Sequence, residues 1–297
     1  MINPHPGLPE LDYIMPASLE EASKFLTEHP DKAKPFMGGT DCFVRLREGI
    51  WQLKYLVNVK GLDGFNDIQF NPKTGLTIGA AVPLNKIISH PEIVRHYPLL
   101  ADSARTIASY QLRNRATLGG NICNASPAGD TLGACLVYGG KLNVYSLKGK
   151  RVEPLDRFFK APGKTVLKPG DIVFSVSFPL SPQHQASRYI KLGRNKISDL
   201  TIVGVTALGY PDKSARSGYT FKIVLASVAP VPFVPLKAEE ILADQPLSEK
   251  TISEAAQATM DSCAPIDDVR SSARYRRYMI RNLTQQALMD VWQKIKK

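Results

Sequence analysis

The feature that constrains this chain most is a pair of Gly-Gly dipeptides set far apart, each followed by polar residues. One lies in Lys34-Pro35-Phe36-Met37-Gly38-Gly39-Thr40-Asp41, the other in Ala116-Thr117-Leu118-Gly119-Gly120-Asn121. Adjacent glycines let the backbone reach φ > 0 and approach a ligand with no Cβ in the way. Successive N–H groups in such a turn form a concave nest suited to phosphate oxygens. Thr117 and Asn121 add donors, and the downstream Asp130 offers an acceptor for a ribose hydroxyl. A single Gly-Gly is ordinarily only a tight turn. Two of one type can close on one diphosphate from opposite sides. Neither G-x-G-x-x-G nor G-x-x-x-x-G-K-[ST] occurs, so the phosphate reading rests on the paired turns alone.

A chain of 297 residues buries a large core and is expected to form about two domains. Its four cysteines are scattered with no C-x-x-C, and its five histidines form no ligand spacing. That pattern fits a reducing compartment and argues against a metal site. The N-terminus has neither the basic nor the apolar region of a signal peptide. The longest weakly polar run, Leu200 to Tyr210, is too short to cross a bilayer. A soluble cytoplasmic protein with no membrane insertion is expected. The formal charge of +11 raises nucleic acid as a partner, but the basic residues are spread along the chain with no aromatic-interleaved motif. Acidic partner subunits, or simply a solvated surface, suit it better.

Along the chain, Tyr13 to Pro16 reads as a strand entering a helix, with Ser18 and Glu21 at capping-box spacing and Leu19, Ala22, Phe25 and Leu26 on one face. Val44 and Leu46 belong to a further helix, on which Arg45 and Arg47 read as solvated. Tyr55–Val59 is strand-like. Phe65–Phe70 and Leu76–Ala80 form a hairpin across a Pro/Gly turn, and helices follow from Leu84 and from Leu99 to Ala108. Pro127 to Tyr138 is helical or tightly looped, with Cys123 and Cys135 as small buried hydrophobes. A hairpin spans Lys141–Ser146 and Lys150–Glu153. Ile172–Phe178 alternates and reads as a half-buried strand. Pro179 to Gln185 marks the main domain boundary. Beyond it, Arg188–Leu192, Thr201–Tyr210 and Tyr219–Ala229 form an antiparallel sheet, followed by helices at Ala238–Leu242 and Ser248–Met260. A closing helix, Ser271 to Lys297, carries Tyr275, Met279, Leu283, Ala287, Val291 and Ile295 as its apolar stripe. Arg274, Arg276, Arg277 and Arg281 lie beside that stripe.

The pair GGTD and ATLGGN, followed by NASPAGD, resembles the FAD-binding medium subunit of the molybdenum hydroxylases, the group of carbon monoxide dehydrogenase and xanthine dehydrogenase. The opening Y-x-x-P-x-S-x-x-E-A, the segment at Ile78-Gly79-Ala80, the L-x-P-x-[DE]-I-[LV] pattern at Leu167–Val173, the Y-I-K-L-G-R-N-K-I-S-D stretch that holds Lys191 and the D-x-R-x-S-x-x-Y-R stretch from Asp268 extend the likeness nearly end to end. It implies an α+β fold: a two-subdomain FAD-binding unit of the PCMH/vanillyl-alcohol-oxidase type, then a smaller α+β domain with an antiparallel sheet. The expected boundaries are 1–180, with subdomains of about 1–60 and 61–180, and 186–297.

By the same resemblance Lys34, Pro35, Phe36, Met37, Gly38, Gly39, Thr40 and Asp41, with Ala116, Thr117, Gly119, Gly120 and Asn121, wrap the FAD diphosphate. Asp130 meets the ribose, Lys191 lies at the flavin, and Ile107 and Val173 pack against the ring. Met37 stands where relatives often have a small residue. The resemblance further implies electron transfer from the [2Fe–2S] clusters of a small partner subunit through FAD to an external acceptor, with molybdopterin in a large subunit. No cysteine-rich insertion for an extra cluster is present, and no histidine near either glycine pair offers a covalent flavin anchor. Two rivals stay open: a free-standing FAD-dependent oxidase or dehydrogenase, and a flavin-free scaffold whose glycine turns are structural.

Overall fold

The computed structural model describes residues 7–195 and 198–296. The first six residues, Lys297, and Lys196 and Ile197 within the Lys191–Asp199 motif lie outside the described residues. The chain opens with β1 (Asp12–Ile14), α1 (Leu19–Glu28), β2 (Ala33–Phe36), α2 (Cys42–Arg47) and β3 (Tyr55–Asn58). The three strands form a parallel sheet in the order β1-β3-β2. Helix α1 starts where the capping spacing predicts. Ser18 Oγ accepts from Glu21 N at 3.1 Å, while Glu21 Oε2 reaches back to Ala17 N at 2.7 Å, one residue before the cap.

Then come β4 (Ile68–Asn71), β5 (Gly75–Gly79), α3 (Leu84–Ser89), α4 (Pro91–His96), α5 (Pro98–Arg105), α6 (Tyr110–Arg113), α7 (Leu118–Asn124) and α8 (Asp130–Val137). They are followed by β6 (Lys141–Ser146), β7 (Gly149–Pro154), β8 (Phe159–Ala161), β9 (Lys164–Thr165) and β10 (Ile172–Phe178). A five-stranded antiparallel sheet runs β4-β5-β10-β6-β7. Its central strand corrects the half-buried expectation. Ile172, Val173, Ser175, Val176 and Phe178 are all buried, because a strand in the middle of a sheet covered on both faces has no solvent side.

The remainder is β11 (Ala186–Leu192), β12 (Val203–Pro211), β13 (Tyr219–Ala226), α9 (Leu236–Asp244), α10 (Glu249–Ser262) and α11 (Ala273–Ile295). The strands form an antiparallel sheet in that order. Strand β12 lies between β11 and β13 and touches both α8 and α11, so its continuous apolar run is a strand buried on both faces. Two large cores result, one around β5, β10 and α5, the other between β12, β13, α10 and α11.

Helix α11 departs from the stripe read in the sequence. Its buried residues are Arg276, Ile280, Thr284, Ala287, Leu288 and Val291, whereas Tyr275 is exposed. Steps of four drift around a helix of 3.6 residues per turn, so a stripe that is right at Ala287 and Val291 is off by one residue at the N-terminal end. Arg276 is therefore no surface cation. It is 1% exposed, pairs with Asp268 at 2.6 Å and donates to Ser227 O at 2.9 Å.

Candidate functional site

The two glycine segments meet. Gly38 packs so closely on Arg115 and Ala116 that a Cβ there would fall inside contact distance of Arg115 O. Asn124 Nδ2 donates to Asp41 Oδ1 at 3.1 Å and Arg45 donates to Asn124 Oδ1 at 2.7 Å, tying α2 to α7. Between them opens a cavity of about 560 Å³, within the usual range for a small-molecule site. Its lining includes all of Lys34 to Asp41, together with Ile107, Ala116, Thr117, Gly120, Asn121 and Val173.

The glycine pairs work differently from the sequence expectation. Only Gly39 takes φ > 0, at +75°. Gly119 and Gly120 sit in the first turn of α7, capped by Thr117, whose Oγ1 accepts from Gly120 N at 3.0 Å. Gly119 is needed for close approach: a Cβ would stand 2.6 Å from Ala80 Cβ and 2.7 Å from Ala80 O. The amides of this segment are also engaged, Gly119 N with Ala80 O and Asn121 N with Thr117 O. The first segment is the opposite case. Among the described residues, the N–H groups of Gly38, Gly39, Thr40 and Asp41 donate to nothing in the chain. Four consecutive free donors on a cavity wall are what a phosphate group requires. Asn121 Oδ1 accepts from Thr131 at 2.7 Å, which turns its Nδ2 into a further donor for a ligand.

Asp130, Lys191 and Gly119 do not line this cavity. Asp130 Oδ1 accepts from Tyr189 OH at 2.5 Å and Thr201 Oγ1 at 2.6 Å, and its Oδ2 pairs with Lys191 Nζ at 2.8 Å. Lys191 Nζ also donates to Thr106 O at 3.1 Å, next to Ile107 on the cavity wall. Burial raises the Tyr189 phenol well above its usual pKa, and the Asp130 carboxylate adds to that, so it stays a donor. The cluster joins β11 and Thr201, just before β12, to α8 behind the cavity.

Sequence reasoning passed over three parts of the wall. Arg45, read as solvated, stands over Trp51 at 5.1 Å and lines the cavity, whereas Arg47 is exposed. A strap from Gly163 to Val173, of which only Val173 was assigned to the site in the sequence, forms another side. Arg151 fixes it through a bidentate pair to Asp171 at 2.8 and 2.7 Å, with Lys168 N donating to the same carboxylate at 2.7 Å. The Leu167–Val173 pattern was the available signal for this strap. Cys42 and Cys123 also line the cavity. Burial pushes their thiols up to about 11 and about 12, which keeps both protonated and unreactive.

Among the described residues no group of three or more His, Cys, Asp or Glu is placed to hold a metal ion, and no helix is long and apolar enough to cross a membrane.

The family described as the FAD binding domain in molybdopterin dehydrogenase matches residues 9–181, and the carbon monoxide dehydrogenase flavoprotein C-terminal domain matches residues 188–291. The xanthine dehydrogenase FAD-binding subunit of Escherichia coli O157:H7 is 29% identical over 279 residues, covering 94% of each chain. The carbon monoxide dehydrogenase medium chain of Hydrogenophaga pseudoflava is 27% identical over 284 residues, covering 96% of this chain and 98% of the relative. A solved structure of carbon monoxide dehydrogenase from the same organism superposes with a TM-score of 0.91 at 26% identity, over 96% of this chain and 98% of that one. The free amides of Gly38 to Asp41 and the cavity they border suit the diphosphate that this family's cofactor carries. The chain belongs to the FAD-binding medium subunits of the xanthine dehydrogenase and carbon monoxide dehydrogenase family.

Proposed function

We propose that the chain holds one FAD non-covalently in the cavity between the two glycine segments and acts as the electron-exit subunit of a molybdenum hydroxylase. In this reading [2Fe–2S] clusters of a small partner subunit supply the electrons, a large subunit holds molybdopterin, and an external acceptor takes the electrons away. The observation that carries the cofactor site is the run of four unpartnered N–H groups at Gly38–Asp41 on the cavity wall. Bound FAD supplies the chemistry of passing electrons singly or in pairs. The protein's work is binding, orientation and exclusion of water.

Gly38 to Asp41 donate to the diphosphate, with Asn121 Nδ2 and the Thr117 hydroxyl opposite. Ile107 and Val173 give apolar surface for the ring. Asp130 and Lys191 act from behind that wall, fixing the Thr106–Ile107 peptide through the Lys191 bond to Thr106 O. This takes the place of the expected ribose contact, because Asp130 lies outside the cavity lining and its carboxylate already accepts from Tyr189, Thr201 and Lys191. The domain division at residues 180–186 is retained in the proposal, since the two large cores fall largely on either side of it.

The partner assignment rests on relatives named as chains of larger dehydrogenases, such as the carbon monoxide dehydrogenase medium chain and the 6-hydroxypseudooxynicotine dehydrogenase complex subunit. The test is reconstitution of the flavin-stripped chain. A yellow protein that releases one FAD per chain on denaturation supports the reading, and a protein that stays colourless with excess FAD defeats it.

A further inference from the structure

Trp51 belongs to none of the motifs that identify the family, yet it lines the cavity beside the phosphate cradle. Its backbone is fixed by α2: Trp51 N and Ile50 N both donate to Arg45 O, at 3.2 and 2.9 Å. Its ring carries two cations, Lys34 Nζ at 5.0 Å from the ring centre and Arg45 Cζ at 5.1 Å. Both cations line the same cavity. Leu26, Pro30 and Ala33 also line it, so an aromatic face, an apolar wall and two positive charges bound one space. That combination is the chemistry of a nucleoside phosphate: a base offers a π-face for stacking, and its phosphates draw the cations.

We propose that Trp51 is the base platform for the AMP half of the dinucleotide, with Lys34 and Arg45 exchanging the Trp51 π-face for phosphate oxygens as the ligand enters. The exchange is favourable because an ammonium or guanidinium interacts more strongly with an oxyanion than with an aromatic quadrupole. It frees the ring for the base at the moment the charge is neutralised. Arg45 is steered by its 2.7 Å bond to Asn124 Oδ1, and Asn124 in turn reaches Asp41 in the cradle. Trp51 thereby makes the site selective for a dinucleotide over a flavin mononucleotide. The proposal rests on the FAD reading above, and its test separates the two.

The chain has two tryptophans, so Trp292→Phe leaves Trp51 as the sole indole emitter. The full-length, flavin-stripped variant is titrated with FAD, FMN and ADP, following Trp51 fluorescence and flavin affinity. ADP, which does not absorb where indole emits, is expected to quench Trp51 and to displace FAD; any bound flavin quenches indole by energy transfer, so FMN and FAD are compared by affinity alone. Trp51→Ala, checked for folding by its thermal melt, is expected to weaken FAD and ADP by roughly ten- to a hundredfold while leaving FMN affinity unaltered. Trp51→Phe should recover most of the loss. FAD binding in which ADP neither quenches nor competes, or an alanine variant that binds FAD as tightly as its parent, overturns the platform and leaves the FAD site standing. If the parent takes up neither FAD nor ADP, the FAD reading itself fails. The quenching experiment retains Trp51, so it decides the matter even if the alanine variant does not fold.

Discussion

A methyl group added at Gly38 would run into the Arg115 carbonyl, whereas one added at Gly120 would meet only Thr117 Oγ1, at 2.9 Å. The two positions look equivalent in the sequence and are not equivalent in the fold. Gly38→Ala has to push two backbone segments apart and is expected to cost about 1–3 kcal/mol. Gly120→Ala sits in a helical turn and disturbs mainly the Thr117 cap, at a cost of about 1 kcal/mol or less. Urea midpoints of the two variants, compared at a shared slope, check the order. Gly120→Val leaves the backbone permissible but thickens the cavity wall, so it should lose FAD affinity while remaining folded. Retention of full FAD affinity would remove Gly120 from the diphosphate. The sequence points to residues that line one cavity, but for a partly wrong reason. The pattern carries glycine identity but not which glycine needs φ > 0 and which needs room for Ala80.

Elements show where periodicity runs out. The hairpins, the α1 cap and the three-stranded C-terminal sheet were legible because turn residues and alternation are local signals. The burial of Arg276 was not, since it depends on Asp268 and Ser227, brought close only by the folded chain. The same holds for Arg45, whose partner Asn124 comes from a distant segment. Breaking a buried ion pair by removing one partner is costly, so Arg276→Ala is expected to destabilise the protein by about 3 kcal/mol, read by chemical denaturation. Arg270, and then Arg276, hold Asp268 well below the usual carboxylate range. A depressed folded-state pKa means this contribution is fully present above about pH 4, the unfolded value, and is lost as pH falls through the folded one. Acid titration of stability should therefore show a decline below about pH 4 that is smaller in Asp268→Asn. An unchanged acid profile would remove Asp268 from the acid response.

For the whole molecule, the proposed role requires other chains. The expected outcome of native isolation is a hetero-oligomer with one chain carrying [2Fe–2S] clusters and one carrying molybdopterin. The isolated subunit with FAD should pass electrons to an artificial acceptor yet oxidise no substrate. Full substrate oxidation by this chain with FAD and no metal would instead identify a free-standing flavoenzyme. Family membership was readable from the glycine motifs and the markers spread along the chain. The Asp130 cluster was not, because Tyr189, Lys191 and Thr201, from two distant segments, converge on its carboxylate only after folding.

That cluster also sets how freely the two halves can be exchanged. Arg270 donates to Thr201 O at 2.8 Å, Thr201 donates to Asp130, and Asp130 holds Lys191 against Thr106 O beside the cavity. A chimera that takes residues 186–296 from a relative imports Tyr189, Lys191 and Thr201 into a socket shaped by this chain's own Asp130. A donor half with mismatched partners would leave a buried carboxylate short of hydrogen bonds and slacken the Ile107 wall. Shuffling among such subunits should therefore succeed in sets that keep these four side chains together, and should fail most often in the flavin's fit even when both halves fold.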